Sequence, residues 1–301
     1  MTNTELPDRN LVRRDEIQKL ATASEHRRKI YSKIGLTICG LFLLIALIPL
    51  VSVLAYTVKR GVHAWSVDFF SKLPTPAGIP GGGIWNAIVG SLIIDGIAAA
   101  IAIPFGIACG LFLAESDGPI VGTVRFATDV LSGVPSIILG IFAYIILVTS
   151  IGHFSAVAGS FAIGVLMLPI IVRASETAIR SVPSTLREAG LSLGSRHSTV
   201  SRRVILPAAL PGLITGVLLA VARGVGETAP LLFTVIGSEY FATNPTQPMA
   251  ALPLVVYGDG IQAYPDLQLR AWGTALFLIC VVLVLSVGSR LIAARLGRVK
   301  R

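Results

Sequence analysis

At 301 residues, with 53% hydrophobic and only 14% charged side chains and a mean hydropathy of +0.79, the chain is too apolar for a water-soluble protein of its size and is an integral membrane protein. The net charge of +9 does not signal nucleic acid, because no basic patch is interleaved with stacking aromatics. The three cysteines, Cys39, Cys109 and Cys280, all fall in apolar runs, where they behave as small hydrophobes and give neither a metal set nor a disulfide framework.

In chain order, residues 1–33 form a polar tail, either a loose amphipathic helix or unstructured, with no pattern of a cleaved signal. Residues 34–58 carry no charge, enough to cross a hydrocarbon core of about 30 Å, and are the first expected transmembrane helix; Pro49 inside it is tolerable where neighbouring backbone adjusts. Residues 59–83 are a connection ending in the turn-forming PTPAGIPGGG. Residues 84–114 contain a single charge, Asp95, which is expected to pair with a cation or to sit at the wetter end of a tilted helix. Four further runs, 130–152, 154–172, 208 to about 232, and 271–289, complete six spans, so the transmembrane core extends over residues 84–290 and is followed by a basic tail, 291–301. The apolar run Met249 to Val256 is too short to cross and is read as an interfacial or re-entrant piece. Glycine pairs four apart, Gly106 with Gly110 and Gly212 with Gly216, favour close helix packing.

Lysine and arginine distribution sets the expected orientation. With the N-terminus in the cytoplasm, twenty of them lie inside and four outside (Lys59, Arg60, Lys72, Arg270), leaving Arg223 within the membrane. Both termini are then cytoplasmic, and so is the polar segment between the fourth and fifth spans. Residues 237–270 then face outward and are expected either to help dock a binding protein or to cover the helix ends, alternatives that crosslinking from Asp259 separates.

That polar segment, PSTLREAGLSLGSRHSTVSRRVILPAALP from Pro183 to Pro211, has the features of a docking helix. Leu186, Ala189, Gly190 and Leu193 recur on one helical stripe, Pro183 suits the first turn, and Gly194 stands where a left-handed cap would end the helix. Gly190 offers no side chain, so a partner surface is expected to approach the backbone there. Glu188, Ala189, Gly194, Val204, Leu206 and Pro207 are spaced as in the E-A-A-x3-G-x9-I-x-L-P motif, and in this the chain resembles the permease subunits of ATP-binding-cassette (ABC) importers, with Gly190 in place of the second Ala and Val204 in place of the Ile. The resemblance implies an all-α type I (MetI-like) fold of six transmembrane helices, with the segment 181–207 as a coupling loop whose helix docks in a groove of a separate ATPase.

Two more stretches, SGVPSIILGIFAY from Ser132 and LPGLITGVLLAVARGVGETAPLL from Leu210, are similar to the permeases of phosphate importers within that family. This likeness implies a second homologous permease, two copies of a nucleotide-binding ATPase and an extracytoplasmic phosphate-binding protein as partners, in the bacterial or archaeal plasma membrane. Independently of any family, none of the six lysines follows a glycine, so the chain lacks a G-x-x-x-x-G-K phosphate loop; ATP and Mg²⁺ are expected on a partner, and this chain is expected to bind no cofactor or metal and to have no catalytic residues.

Arg223 and Glu227, four apart near the end of the fifth span, share a helix face. A charge in the bilayer costs about 3 kcal/mol by insertion scales and is kept where it faces protein or a water-filled path. The pair is therefore expected on the translocation path, the guanidinium matching an oxyanion and Glu227 tempering it; the alternative is a structural pair pinning the fifth span to a neighbour. Arg173, Glu176 and Arg180 read as ordinary snorkelling residues. One arginine does not separate phosphate from sulfate or molybdate, and Glu227 as a proton carrier in a secondary transporter is the remaining alternative, although it leaves the coupling motif without a purpose.

Overall fold

The computed structural model describes residues 9–298; residues 1–8, the start of the polar tail, and 299–301, the end of the basic tail, lie outside that range. Every regular element within it is helical. The chain divides into two compact units, one up to Tyr56 and one from Thr57 onward. Helix α1 (Arg9–Gly61) begins well ahead of the uncharged run and carries Pro49 in its interior; its apolar stretch, Tyr31–Ala64, is long enough to span.

In the second unit, the short α2 (Val67–Ser71), N-capped by Ser66 Oγ on Phe69 N at 3.1 Å, precedes the long α3 (Trp85–Glu115). Beyond Gly118 and Pro119 come α4 (Pro119–Gly133), then a bend of 103° at Val134 and Pro135, then α5 (Ser136–Ala143), which continues through a π-turn, 144–148, into α6 (Thr149–Ile151). The expected third span, 130–152, is therefore not one straight rod. Pro135 has no N–H to give the preceding turn and holds Val134 extended, which breaks the rod after its fourth residue. Among the described residues, five helices are long and apolar enough to cross a membrane, and the bent pair supplies a sixth crossing if counted as one span.

Helix α7 (Ala156–Arg180) is the centre of this unit. It runs eight residues past the end of the apolar stretch 154–172, because its last turns are held by ion pairs rather than by lipid. Its buried residues include Ile163, Met167 and Ile171, which pack with Ile94, Ala98 and Ala102 of α3 in one core cluster. Lipid tails are as apolar as leucine, so close backbone approach rather than hydrophobicity must hold such helices together. The glycines supply it on both sides of α7. A Cβ on Gly106 would stand 2.6 Å from Ile171 Cγ2, and one on Gly110 would collide with Ser175; a Cβ on Gly212 would stand 2.7 Å from the Ala178 Cβ, and one on Gly216 would collide with Ala174. The N-terminal amides of α7 are satisfied from outside the helix: Ser155 Oγ accepts from Ala158 N, Ala156 N donates to Gln247 O at 3.0 Å and Val157 N to Pro245 O at 2.9 Å.

After α8 (Ser184–Ser192), the chain re-enters through α9 (His197–Val200), a π-turn at 201–205 and α10 (Leu206–Val225), continuous over 29 residues. The π-turn immediately precedes Pro207, whose missing N–H an α-ladder would leave as a gap. This span starts eleven residues earlier than the apolar run at Ala208 and stops at Val225, not near Leu232; Gly226 to Thr228 separate it from α11 (Ala229–Thr234), which starts afresh with Pro230 in its first turn. Residues 249–251 lie fully buried against α3, with Leu252 N donating to Ser91 Oγ at 2.8 Å, and lead into α12 (Leu252–Gly260). At nine residues α12 is far short of the roughly 20 a crossing needs. Helix α13 (Pro265–Arg298) completes the fold and joins α10 and α12.

Candidate functional site

The segment with the docking motif folds as its spacing predicts, with one change of role. Helix α8 begins after Pro183 and ends where Leu193 N reaches Ala189 O, and Gly194 adopts φ 76° with its N–H on Leu191 O at 2.9 Å. Leu186, Glu188, Ala189 and Leu193 are exposed, Leu193 at 87% of its full area, which is a large apolar surface to leave bare at a helix end. Gly190, expected to admit a partner, instead admits this chain: a Cβ there would come within 2.9 Å of Val200 Cγ2. The stripe is thus split, because with 100° per residue Gly190 lies between the Leu186 side and the side of Arg187 and Leu191. Leu191, Leu206 and Val204 pack on the buried cluster of Ile179, Val200, Ile205 and Leu213, while Pro207 is exposed.

Charges at the α8 end of the bundle form two networks that the sequence reading left out. Glu176, whose side chain is only 7% exposed, takes Arg125 of α4 at 2.7 Å and both Arg173 and Arg180 of its own helix at 3.2 Å; Arg173 also pairs with Asp129. These are not snorkelling residues but a buried clamp of α4 onto α7. Glu115, the last residue of α3, pairs with Arg187 of α8 and accepts Ser201 Oγ at 2.8 Å. The local signal for both is an acid at the boundary of an apolar run, with Arg173 and Arg180 one turn from Glu176; the partners 51 to 86 positions away, Arg125, Arg187 and Ser201, are invisible without the fold.

Arg223 lies in the last turn of α10 and Glu227 in the break that follows, so the pair sits where the span is interrupted. The contact is loose, Nε to Oε1 at 3.5 Å, and the Arg223 side chain is 61% exposed against 19% for Glu227. Broken helices at membrane depth are found where they are buried in protein or line a water-filled cavity. The guanidinium therefore has donors to offer an anion, in a position where a packing residue would have none free. Asp95 has no cation partner of the kind expected: it stands ten residues into α3, about 15 Å along the helix axis, half-buried, and no ion pair among the described residues involves it. Asp259 is also not a free contact point, since Arg270 grips it in a two-pronged pair (2.6 and 3.0 Å) while also donating to Thr75 O. Among the exposed large side chains of that region are Tyr240, at 84%, Phe241 and Ile261. Among the described residues, no group of three or more His, Cys, Asp and Glu is arranged to hold a metal ion.

A bundle with a surface helix between two spans and a charged break at the far end of the second of them is the architecture of a multi-pass transport subunit. Two solved structures share the fold: the inward-facing MetNI methionine ABC transporter (TM-score 0.56, 21% identity, covering 71% of this chain and 94% of that one) and a bacterial alginate ABC transporter in complex with its oligosaccharide-bound periplasmic protein (TM-score 0.58, 13% identity, 94% and 97%). The family described as binding-protein-dependent transport system inner membrane component matches residues 102–300, and the chain belongs to that family. Its relatives include the phosphate transport system permease protein PstA of Xylella fastidiosa (strain Temecula1 / ATCC 700964), 40% identical over 92% of this chain and 98% of the relative, that of Yersinia pestis, 36% identical over 91% and 96%, and PstA 1 of Mycobacterium tuberculosis (strain CDC 1551 / Oshkosh), 36% identical over 88% and 90%.

Proposed function

We propose that the chain is the permease subunit of an ATP-driven importer of inorganic phosphate, forming half of the translocation path with a second, homologous permease, and receiving substrate from an extracytoplasmic phosphate-binding protein. The observation that carries this reading is the similarity to PstA proteins over nearly the whole chain, together with an open arginine at the break of α10. Two copies of an ATPase hold the ATP and Mg²⁺, and this chain, without a phosphate loop, hydrolyses nothing. Both termini and α8 are cytoplasmic, in keeping with the lysine and arginine count.

Leu186, Glu188, Ala189 and Leu193 form the surface presented to the ATPase; Gly190, Gly194, Leu206 and Pro207 shape the segment that presents it. Arg223 meets the anion through its free guanidinium donors, and Glu227 prevents a lone cation in a low-dielectric path from holding a dianion too firmly for release. On the outer face, the exposed Tyr240 and Phe241 suit contact with a binding protein better than the enclosed Asp259. Uptake of labelled phosphate, sulfate and molybdate by cells with and without the chain tests the reading: phosphate uptake should depend on the chain, and dependence of sulfate or molybdate uptake instead would replace the substrate while keeping the class.

A further inference from the structure

The contacts of Glu115 give it a role that the coupling motif does not contain. It ends α3, and its two carboxylate oxygens are divided between two elements: Oε1 pairs with Arg187 in the middle of α8, and Oε2 accepts the hydroxyl of Ser201, the first residue of the π-turn at the foot of α10. Neither element is bonded to α3 in sequence. Helix α8 is joined covalently to α7 and α9, so motion imposed on it has direct routes into α7 and α10 only. The Glu115 carboxylate, 15% exposed and charge-paired, adds a third route, into the helix whose glycine face carries α7.

The same end of α3 is held a second time, where Arg180 of α7 donates to Leu113 O at 3.0 Å. The foot of α3 is therefore fixed to both ends of the 181–207 segment, which a loop that merely connected two spans would not need.

We propose that Glu115 is a positioning residue of the coupling apparatus, transmitting displacement of α8 to α3 through Arg187 and Ser201. This rests on the reading that α8 docks on an ATPase. A hydrogen-bonded charge pair is stiff and directional, whereas the neighbouring Val200 to Gly190 contact, about 60° around α8 from Arg187, is apolar and has no directional bond. The pair lets the first core span move together with the ATPase.

The test uses the complete complex reconstituted in vesicles with its ATPase, second permease and binding protein, comparing Glu115→Gln with the charge exchange Glu115→Arg plus Arg187→Glu. Glu115→Gln should leave copurification of the ATPase and the unstimulated ATPase rate unchanged and lower the stimulation by phosphate-loaded binding protein about tenfold, within the usual range of coupling free energies. The exchange should recover at least half of the stimulation. Full stimulation in Glu115→Gln, an exchange no better than Glu115→Gln, or loss of ATPase copurification in Glu115→Gln would each overturn the transmission role, the last by making Glu115 a docking support. A wild-type complex without ATP-driven phosphate uptake would defeat the importer reading, and is distinguishable from these because it precedes any substitution.

Discussion

Two ion-pair sites, Glu176 on α7 and Arg223 with Glu227 at the end of α10, are built from the same residue types and differ in almost every physical respect. Glu176 is enclosed, takes three arginines at 2.7 to 3.2 Å and ties one helix to another. Arg223 is mostly open, touches its single acid at 3.5 Å and ties a helix only to its own frayed end. Saturated charge is architecture: every donor has a taker, and removing one leaves the rest stranded. Unsaturated charge at membrane depth is costly and gives the fold little in return, which is the physical ground for assigning it to the substrate.

The comparison breaks first at Arg223. Arg223→Gln should lower phosphate uptake at least about a hundredfold, the scale of losing a single preorganised donor to developing or bound negative charge, with the chain present at normal levels in the membrane. Immunodetection of membrane fractions alongside uptake separates the two quantities. Normal uptake in this variant would move Arg223 to the architectural class and leave the path without a cation from this chain.

Glu176→Ala should do the reverse. The substitution leaves Arg125 without its acid, while Arg173 keeps Asp129 and Arg180 keeps Leu113 O; because these arginines are partly exposed the cost is about 1–3 kcal/mol, below that of a fully buried broken pair, so the variant should accumulate less well and unfold at lower temperature in detergent. Whatever fraction does insert and assemble should still bind substrate-loaded partner normally. A stable Glu176→Ala chain with failed transport would mean that the clamp is functional and that saturation is a poor guide.

Glu227→Gln sharpens the contrast on the open side. A half-exposed pair is worth about 1 kcal/mol or less, so phosphate should be released about fivefold more slowly, the factor that 1 kcal/mol corresponds to. The maximal uptake rate should fall while half-saturation shifts to lower phosphate. An unchanged rate would remove Glu227 from the path and leave it as the cap of a broken helix.

How much of this could be read from the chain differs between the sites for a physical reason. Arg223 and Glu227 are four apart, so helical periodicity alone brings them together; the α8 helix, its Pro183 start and its Gly194 end are equally local. The bend at Pro135 was written in the residue itself, yet the uninterrupted hydrophobicity on either side hides it, since hydropathy reports transfer energy and not backbone continuity. Glu115 escapes altogether, because its partners are all on other elements, and of the Glu176 cluster only the local arginines Arg173 and Arg180 were legible, not the Arg125 that makes it a clamp. The early end of α10 falls between these cases: Gly226, Thr228 and Pro230 are legible as breakers, but they lie inside an apolar run that a single span would also explain.

The smallest expected effects come from the two glycines of the α8 segment, and they test whether presentation and packing can be separated within a few residues. Gly194 has φ 76° and open space around it, so what matters there is backbone conformation; Gly190 has an ordinary helical backbone and Val200 at 2.9 Å from a would-be Cβ, so what matters is room. Gly194→Ala should cost about 1–2 kcal/mol, the left-handed penalty, while Gly194→Asn costs much less, because asparagine tolerates that region. At Gly190 the ranking should follow size instead: Ala shifts Val200 by a few tenths of an ångström, and Trp drives α8 away from the foot of α10 and lowers ATPase-coupled uptake without preventing insertion. Limited proteolysis of residues 181–207, read beside uptake for these four variants and for Gly190→Asn, checks both orders. If Asn at Gly190 were as well tolerated as Asn at Gly194, room would not be the constraint there, and the intramolecular contact with Val200 would have to give way to the original expectation of an outside surface meeting that glycine.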